Sequence, residues 1–307
     1  MKPVMKILIG YDGSECADRA LEDLHRAGLP RQVEATILTA ADVFLPPADE
    51  ERAGAPSPKM DVVHLSEAQK AATHALEEAR RLAQKASESL REMFPDWTVT
   101  PEAQADSPAW ALIKKSDEWS PDLLVVGSQG RSAISRMLFG SVSRKVVTEA
   151  VCSVRVARGG ARAEGPIRII IGLDGSAYSE AAVSFAARRE WAEGTEVRLI
   201  SVLDQAIMST WEWVEDFAED EESWGKRVMS GPVRQLTDAG LAVSTEVKRG
   251  DPKHLILEEA QGWEADCIFV GAKGLRGIER FLLGSVASSI AARAPCSVEV
   301  VRTAQSG

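Results

Sequence analysis

The sequence predicts an α/β protein made of two doubly wound domains, each built around a parallel β-sheet. Two observations predict this fold: short β-branched runs alternate with longer helical patterns, and the whole succession occurs twice along the 307 residues. Apolar runs such as "KILIG" (6–10), "LLVVG" (123–127) and "RIIIG" (168–172) show no polar alternation. Strands of this kind are covered on both faces, as in a parallel sheet with right-handed crossovers.

Each half of the chain contains five predicted strands. The first half has strands near 4–10, 33–41, 97–104, 122–127 and 152–157, with helices near 14–27, 65–93, 107–118 and 140–150 between them. The second half has strands near 167–173, 196–203, 241–248, 266–271 and 296–302.

Three stretches of the first half recur in the second half with little change. "RGGARAEGP" (158–166) lies between the two copies and has the composition of a linker, which predicts domains at 1–157 and 166–307. The matching stretches are "KILIGYDGS" (6–14) and "RIIIGLDGS" (168–176), "DLLVVGSQG" (122–130) and "DCIFVGAKG" (266–274), and "FGSVSRKVVTEAVCSVRV" (139–156) and "LGSVASSIAARAPCSVEV" (283–300).

The first copy carries 18 extra residues, because the offset between matching stretches falls from 162 to 144 along the chain. The extra residues fall in "DVFLPPADEERAGAPSPKMDVVH" (42–64), which is either a tolerated surface insertion or a flap over the first site. The corresponding stretch of the second copy, "TWEWVEDFAEDEESW" (210–224), is expected to begin an acidic helix. Its Trp211, Trp213 and Trp224 are expected to pack in a core or an interface.

Composition narrows the function classes. The net charge of −10 and the lack of a basic tract argue against nucleic-acid and anionic-membrane partners. No apolar run approaches the roughly 18–20 residues that span a bilayer, and no secretory signal is evident, so we expect a cytoplasmic protein. Four widely spaced cysteines without a C-x-x-C motif are expected to be free thiols rather than disulfides or zinc ligands.

A glycine loop occurs in both copies, as "GSQGRSAISRMLFGS" (127–141) and "GAKGLRGIERFLLGS" (271–285). Each loop follows an apolar strand and ends in Gly-Ser where the next helix starts. Glycines let the main chain approach a ligand, and a helix N-terminus presents unpaired N–H groups, so the pattern suits a phosphate. The serine of Gly-Ser can cap the helix or bind a phosphate oxygen. The candidate residues are Gly127, Gly130, Arg136, Gly140, Ser141 and Ser143 in the first copy, and Gly271, Gly274, Arg280, Gly284 and Ser285 in the second.

An aspartate follows the first strand of each copy within G-x-D-G-S, at Asp12 and Asp174. A carboxylate across the crevice from the glycine loop suits ribose hydroxyls or an adenine amino group. Taken alone, Asp-Gly-Ser could equally be a turn that caps the first helix. The recurrence of this aspartate with the glycine loop favours the nucleotide interpretation.

Known catalytic motifs are missing from the sequence. There is no G-x-x-x-x-G-K-[ST], no G-x-G-x-x-G after either first strand, no H-x-G-H and no G-x-S-x-G. None of the four histidines recurs between the copies, and His25 and His74 are expected at the surface or in an interface. The sequence therefore predicts a pocket without a catalytic residue or a metal site.

The loop G-x-x-G-x9-G-S, the aspartate after the first strand and the closing "APCSVEVV" (294–301) together resemble the universal stress protein family, in its ATP-binding branch. Both copies match, so the chain resembles a tandem-domain member. The resemblance implies Rossmann-like domains, similar to the adenine nucleotide alpha hydrolase fold, with five parallel strands in the order 3-2-1-4-5. It also implies binding of ATP, alone or with Mg²⁺, and a role in stress adaptation without defined turnover.

Carried over to this sequence, the resemblance implies that Asp12 and Asp174 contact the adenosine part. The glycines and serines of the loops would line the phosphates, and Ala40 and Val202 would meet adenine through the main chain.

Two departures from the family pattern indicate unequal occupancy of the two sites. The family often has Ser or Thr at the position of Ser143, where the second copy has Ala287. The family's G-x-P before the third helix is kept as "GDP" (250–252), whereas the first copy is expected to have "ADS" (105–107) there, with Pro108 displaced.

Three functions remain open from the sequence: a regulatory ATP binder with two sites and little or no turnover, a slow ATPase or phosphotransfer enzyme using the same pocket, and a nucleotide-free interaction module for an unknown protein partner. The final strands, 152–157 and 296–301, lie at sheet edges in this fold. Because an uncovered edge invites pairing, we expect them to pair antiparallel within one chain. Any homodimer would then use other faces.

Overall fold

The computed structural model describes residues 4–43, 62–130, 139–159, 165–203, 221–274 and 283–303. Within these residues the two copies form a single ten-stranded sheet with the order β3-β2-β1-β4-β5-β10-β9-β6-β7-β8. Each copy therefore has the predicted strand order 3-2-1-4-5, and the fold class expected from the sequence is confirmed.

The elements follow the predicted succession closely. The first copy contains β1 (Met5–Gly10), α1 (Glu15–Asp23, continued by a 3₁₀ turn at Leu24–Arg26), β2 (Val33–Ala41), α2 (Val62–Met93), β3 (Thr98–Ala105), α3 (Pro108–Trp119), β4 (Leu123–Gly127), α4 (Ser141–Glu149) and β5 (Ser153–Ala157). The second copy contains β6 (Arg168–Leu173), α5 (Ala177–Ala187), β7 (Glu196–Leu203), α6 (Glu221–Asp238), β8 (Ala242–Arg249), α7 (Pro252–Gly262), β9 (Cys267–Gly271), α8 (Ser285–Arg293) and β10 (Ser297–Val301).

The strand pairs within each copy are parallel, and the pair that joins the copies is antiparallel. In that joining pair Val154 lies opposite Val300 and Val156 lies opposite Val298. The edge strands of the two copies thus cover each other, as the sequence predicts, and the chain leaves no open edge at β5 or β10.

Three apolar clusters fill the space between the sheet and its helices. One cluster covers a face of the sheet across both copies and includes Leu112 of α3, Val146 of α4, Ile256 of α7 and Ile290 of α8. On the opposite face each copy has its own cluster, one beneath α1 and α2 and the other beneath α5 and α6. The two copies therefore share one of their hydrophobic layers as well as a sheet.

The first turn of α3 corrects one expectation from the sequence. Pro108 and Pro252 both occupy the first turn of their helices, α3 and α7, where the fixed φ of proline suits a helix start. Pro108 is therefore not displaced. The difference between the copies is Asp106 in place of Gly250, which has a φ of +142°. Both residues donate their N–H to the end of the neighbouring strand, Asp106 to Ala41 O and Gly250 to Leu203 O.

Four other expectations from the sequence concern the tryptophans, the insertion, the cysteines and membrane spans. Trp224 packs against the core of the second copy and donates its indole N–H to Ser201 Oγ at 2.9 Å, whereas Trp211 and Trp213 lie outside the described residues. Most of the 42–64 insertion also lies outside them. The four cysteines are free thiols, and no helix in the described ranges is both long and apolar enough to cross a bilayer.

Candidate functional site

The carboxyl ends of β1, β2 and β4 open onto a cavity of about 690 Å³. This volume lies within the roughly 300–1,000 Å³ typical of small-molecule sites. The strand order reverses direction between β1 and β4, which is where doubly wound sheets bind ligands. The cavity is lined by Asp12, Ala40, Gly127, Gly130, Gly140, Ser141 and Ser143 among the residues expected from the sequence.

The start of α4 forms one wall of this cavity. Gly140 is the N-cap of α4, with a φ of −62° and a ψ of 148°, and no side chain caps the helix. Ser141 is the first helical residue and not the cap, so the capping role considered for it is wrong. Because no side chain occupies the first-turn N–H groups as a cap, this helix end can offer them to a ligand.

The start of α8 has the same geometry in the second copy. Gly284 is its N-cap, with a φ of −63° and a ψ of 149°, again without a capping side chain. The N–H of Gly140 donates to Ser128 O at 2.9 Å, and the N–H of Gly284 donates to Ala272 O at 2.8 Å. The same backbone hydrogen bond therefore closes both glycine loops.

Asp12 and Asp174 have the same two roles in the two copies. Asp12 Oδ1 accepts the N–H of Ser14 at 3.0 Å, and Asp174 Oδ1 accepts the N–H of Ser176 at 3.0 Å. Ser14 and Ser176 in turn cap α1 and α5 through their side chains. Asp-Gly-Ser is therefore a turn that leads into the first helix of each copy, and one carboxylate oxygen of the aspartate takes part in that turn.

The second carboxylate oxygen of each aspartate faces the glycine loop. A Cβ placed on Gly130 would lie 3.0 Å from Asp12 Oδ2, and one placed on Gly274 would lie 2.6 Å from Asp174 Oδ2. A side chain at either position would force the carboxylate to shift, because the carboxylate approaches the main chain so closely. The expected placement of the aspartate across the crevice from the loop therefore describes the geometry of both copies.

The first glycine of each loop has a packing reason in addition to any ligand role. A Cβ on Gly127 would lie 3.1 Å from Cys16 O, and one on Gly271 would lie 2.8 Å from Tyr178 O. The first turns of α1 and α5 therefore rest directly on these glycines. Sequence alone could not separate this helix contact from a ligand contact, since both require a bare backbone.

Ser143 distinguishes the first copy from the second. Its buried hydroxyl donates to Gly127 O at 2.6 Å and so ties the first turn of α4 to the start of the glycine loop. In the second copy the equivalent residue is Ala287, which is also buried and has no hydroxyl to make this bond. Ser143 also lines the cavity, where its oxygen retains lone pairs that can accept from a ligand.

The remaining expected residues fall into two groups. Ala40 lines the cavity near the end of β2, and Val202 occupies the matching place near the end of β7, where it is half-buried opposite Lys248. Arg136 and Arg280 lie outside the described residues. Residues 204–220 and 275–282 also lie outside them.

The structure adds cavity residues that the sequence analysis did not select. Tyr11 lies within the G-x-D-G-S stretch, Gln129 lies within the glycine loop, and Thr39 comes from β2. His74 and Glu78 come from α2. His74 is exposed, as expected from the sequence, and it stands at the rim of the cavity. Their spacing of four residues places both on one helical face, but nothing in the sequence indicates which way that face points.

The fold and this site together define a doubly wound α/β protein whose ligand cleft lies at the reversal of strand order and is completed by a helix N-terminus. The model of the universal stress protein family matches residues 3–158 and again residues 167–302. The chain therefore belongs to the universal stress protein family and carries two such domains.

Similar proteins span nearly the whole chain. A universal stress protein of Mycolicibacterium smegmatis is 30% identical over 305 residues, which cover 96% of each sequence. The crystal structure of a universal stress protein from Archaeoglobus fulgidus covers 98% of this chain and 97% of its own, with a TM-score of 0.60 and 21% identity. That of a protein of unknown function from Pseudomonas aeruginosa covers 97% and 92%, with a TM-score of 0.59 and 15% identity. The two structures show likeness of fold.

Proposed function

We propose that this protein binds adenine nucleotide, with ATP as the principal ligand, and acts as a regulatory binder in the stress response with little or no turnover. The observation that carries the proposal is the cavity of the first copy, in which an uncapped helix N-terminus stands opposite the carboxylate of Asp12. A nucleotide needs both features, since its phosphates are anions and its ribose hydroxyls are hydrogen-bond donors.

The phosphate end of the ligand would lie between the glycine loop and α4. Gly127, Gly130 and Gly140 leave the main chain bare there, and the first-turn N–H groups of α4 carry the positive end of the helix dipole. Ser141 adds a hydroxyl group at the same end, and Ser143 holds the first turn of α4 against the loop. Arg136 would add a cation from the part of the loop outside the described residues. This local grip suits an acidic chain that has no general attraction for anions.

The adenosine end would lie toward β1 and β2. Asp12 would accept hydrogen bonds from the ribose, and the main chain at Ala40 would meet the adenine ring. A Mg²⁺ ion would enter with the phosphates, because the described residues contain no group of three His, Cys, Asp or Glu side chains placed to hold a metal.

The second copy is proposed as a second site of the same kind. Asp174, Gly274 and Gly284 repeat the geometry of the first cleft, and Gly271, Ser285, Val202 and Arg280 occupy the matching sequence positions. Ala287 cannot make the bond by which Ser143 holds the start of α4 against the glycine loop, and this is the reason to expect weaker phosphate binding there. Because its four free thiols suit a reducing compartment, we place this protein in the cytoplasm.

Two measurements test the proposal. Mass analysis of small molecules released by denaturing the purified protein should identify adenine nucleotide. Titration calorimetry of nucleotide-free protein with ATP should saturate at one or two equivalents per chain. A flat titration, together with no released nucleotide, would leave the interaction-module function instead.

Turnover separates the binder from the enzyme. Because the sequence holds no known catalytic motif and the described cavity residues include no lysine, ATP hydrolysis should stay far below the ~10 s⁻¹ that is typical of enzymes. Steady-state phosphate release measures this rate. Phosphate release at about 10 s⁻¹, a rate typical of enzymes, would establish an ATPase if the Asp12→Ala variant lost it. That result would overturn the proposal of a regulatory binder.

A further inference from the structure

A row of four buried charged side chains crosses the junction between the two copies. Arg155 Nε donates to Asp23 Oδ2 at 2.7 Å, and Arg155 Nη1 donates to Glu299 Oε1 at 2.6 Å. Glu299 Oε2 accepts from Arg189 Nη2 at 2.5 Å. Each of these side chains is at most 3% exposed. Along the row Asp23, Arg155, Glu299 and Arg189 the sign of the charge alternates.

The central pair of this row lies on the pseudo-twofold axis that relates the copies. Arg155 and Glu299 occupy the same position of the repeat, 144 residues apart, and they are direct cross-strand partners in the β5–β10 pair. A residue that faces its own equivalent lies on such an axis. The two copies therefore carry opposite charges at the one strand position where each copy meets itself.

The outer members of the row are also unlike between the copies. At the repeat offset of 162 residues, Asp23 corresponds to Phe185, and Arg189 corresponds to Ala27, whose carbonyl oxygen accepts from Arg189 Nη1 at 2.7 Å. Each copy thus supplies one acid and one base, but in opposite order from the axis outwards. The first copy places its base on the axis, and the second copy places its acid there.

This order has an electrostatic consequence for any pairing of identical copies. Two first copies would place Arg155 opposite another Arg155, and two second copies would place Glu299 opposite another Glu299. Like charges directly opposite each other in a sheet are destabilising, and burial removes the water that would screen them. In the pairing observed, burial alone would lower the pKa of the Arg155 guanidinium, but the nearby carboxylates of Asp23 and Glu299 raise it above its ordinary value.

Other contacts at the junction are the same in both copies. Arg158 donates its backbone N–H to Ser297 Oγ at 3.0 Å and its guanidinium to Ala291 O at the end of α8. Arg302, 144 residues later, donates its N–H to Ser153 Oγ at 3.2 Å and its guanidinium to Val147 O at the end of α4. Two identical copies could form these bonds equally well. They strengthen the junction but cannot select which copies pair.

We infer that the row of four charges restricts the β5 edge to a partner with an acid on the axis, namely the second copy, and excludes pairing of like copies. The pairing of β5 with β10 is stabilised by the apolar residues of both strands and by the hydrogen bonds of Arg158 and Arg302. The alternating row decides that each edge pairs with the unlike copy and not with another copy of its own kind.

Hydrogen exchange on the intact chain tests the inference. Glu299→Arg places like charges across the axis, as a pair of two first copies would. The amides of β5 and β10 should then exchange about 100-fold faster or more, since breaking a buried ion pair is strongly destabilising. Amides in the middle of β1 and β6 should remain protected. Glu299→Gln, which keeps the shape and a hydrogen bond, should have a smaller effect.

The matched control is the double variant Arg158→Ala/Arg302→Ala, which removes charge-assisted bonds that do not discriminate between copies. Its β5 and β10 amides should exchange faster than in the unaltered chain but slower than in Glu299→Arg. Exchange in Glu299→Arg that is no faster than in this control would overturn the inference.

A second measurement observes the choice of partner directly. The complete chain is cut once in the linker at 160–164, unfolded, refolded and weighed by native mass spectrometry. The unaltered chain and the Arg158→Ala/Arg302→Ala control should give only unlike pairs. The apolar variant Asp23→Leu/Arg155→Met/Arg189→Met/Glu299→Met should give like pairs as well, because it has no charges to set the order.

Like pairs from the unaltered chain, or unlike pairs alone from the apolar variant, would contradict the inference. If the cut pieces do not refold, the exchange rates of the intact variants decide the question by themselves.

Discussion

The two clefts and the junction between the copies differ in whether equivalent positions of the repeat carry the same residue. At the clefts, the aspartate and the loop glycines are the same in both copies, as with Asp12 and Asp174 or Gly140 and Gly284. At the centre of the junction, equivalent positions carry opposite charges, Arg155 and Glu299. Each cleft is built within one copy, so identical residues give two similar sites. A residue on the axis faces its own equivalent, so identical charges there would repel.

Off-axis positions at the junction support the same explanation. Arg158 and Arg302 are identical, because each one reaches a helix end of the other copy and not its own equivalent. Whether a duplicated residue can stay the same thus depends on what it faces. The following experiments weaken the junction or a cleft separately, in order of decreasing expected effect.

The largest effect is expected from proline in the strands of the junction. Val154→Pro or Val298→Pro would remove a ladder N–H from a strand that is paired on both sides. The free energy of unfolding should fall by about 3 kcal/mol or more, measured by urea denaturation with circular dichroism. Val151→Pro is the matched control, because the second copy already has Pro295 at that position. Equal stability of Val154→Pro and Val151→Pro would show that β5 is not held on both sides.

The next effect is loss of nucleotide from one cleft at a time. Gly140→Asp would bring a side chain within 3.3 Å of Ser128 O and place a negative charge at the helix N-terminus. Calorimetry should show affinity reduced about 100-fold or more at the first site, since clash and charge repulsion both act there. Gly284→Asp should do the same to the second site only.

Gly231→Asp controls for the added charge, because a Cβ at this exposed position in α6 meets no atom within 4 Å. ATP binding should be unchanged in this variant. If Gly140→Asp binds as well as Gly231→Asp, the start of α4 is not the phosphate site.

A smaller effect is expected from removing the hydroxyl of Ser143, which should make the ATP affinity of the first site resemble that of the second. Ser143→Ala deletes the bond to Gly127 O and should lower the free energy of unfolding by about 1 kcal/mol. The affinity of the first site for ATP should approach that of the second. The reciprocal Ala287→Ser offers the second copy the same hydroxyl, and it should strengthen ATP binding there. Opposite changes in affinity would mean that this hydroxyl does not account for the difference between the clefts.

The smallest effect concerns the thiols beside the junction. Burial raises the pKa of Cys152 and of Cys296 to about 12, so at pH 8 almost none of either thiol is in the reactive thiolate form. Alkylation by iodoacetamide at pH 8 should therefore be much slower than for a free thiol, and should rise when pH approaches 12. Val154→Pro should accelerate it by opening the junction. Rapid alkylation at pH 8 in the unaltered chain would count against a closed junction.

Much of the site was predictable from the sequence because its features are local. The glycine loops, the aspartates after β1 and β6, and the Gly-Ser that precedes α4 and α8 are short motifs whose backbone requirements show in the residue types. The packing role of Gly127 was not predictable, because the helix that rests on it is more than a hundred residues earlier in the chain. The correct place of Pro108 was already present in the sequence, because the repeat offset of 144 residues aligns it with Pro252.

By itself, the sequence determined the doubly wound fold and the duplication, because periodicity and repeats are properties of the chain. The strand order, and from it the pairing of β5 with β10, was implied by the resemblance to universal stress proteins. Only the tertiary structure decided that His74 reaches the rim of the cavity and that Asp23, Arg155, Glu299 and Arg189 form one row. The physical reason is distance along the chain. Contacts between residues far apart in sequence depend on which helix face packs inwards and on the register of the joining strands, and neither is encoded in a local pattern.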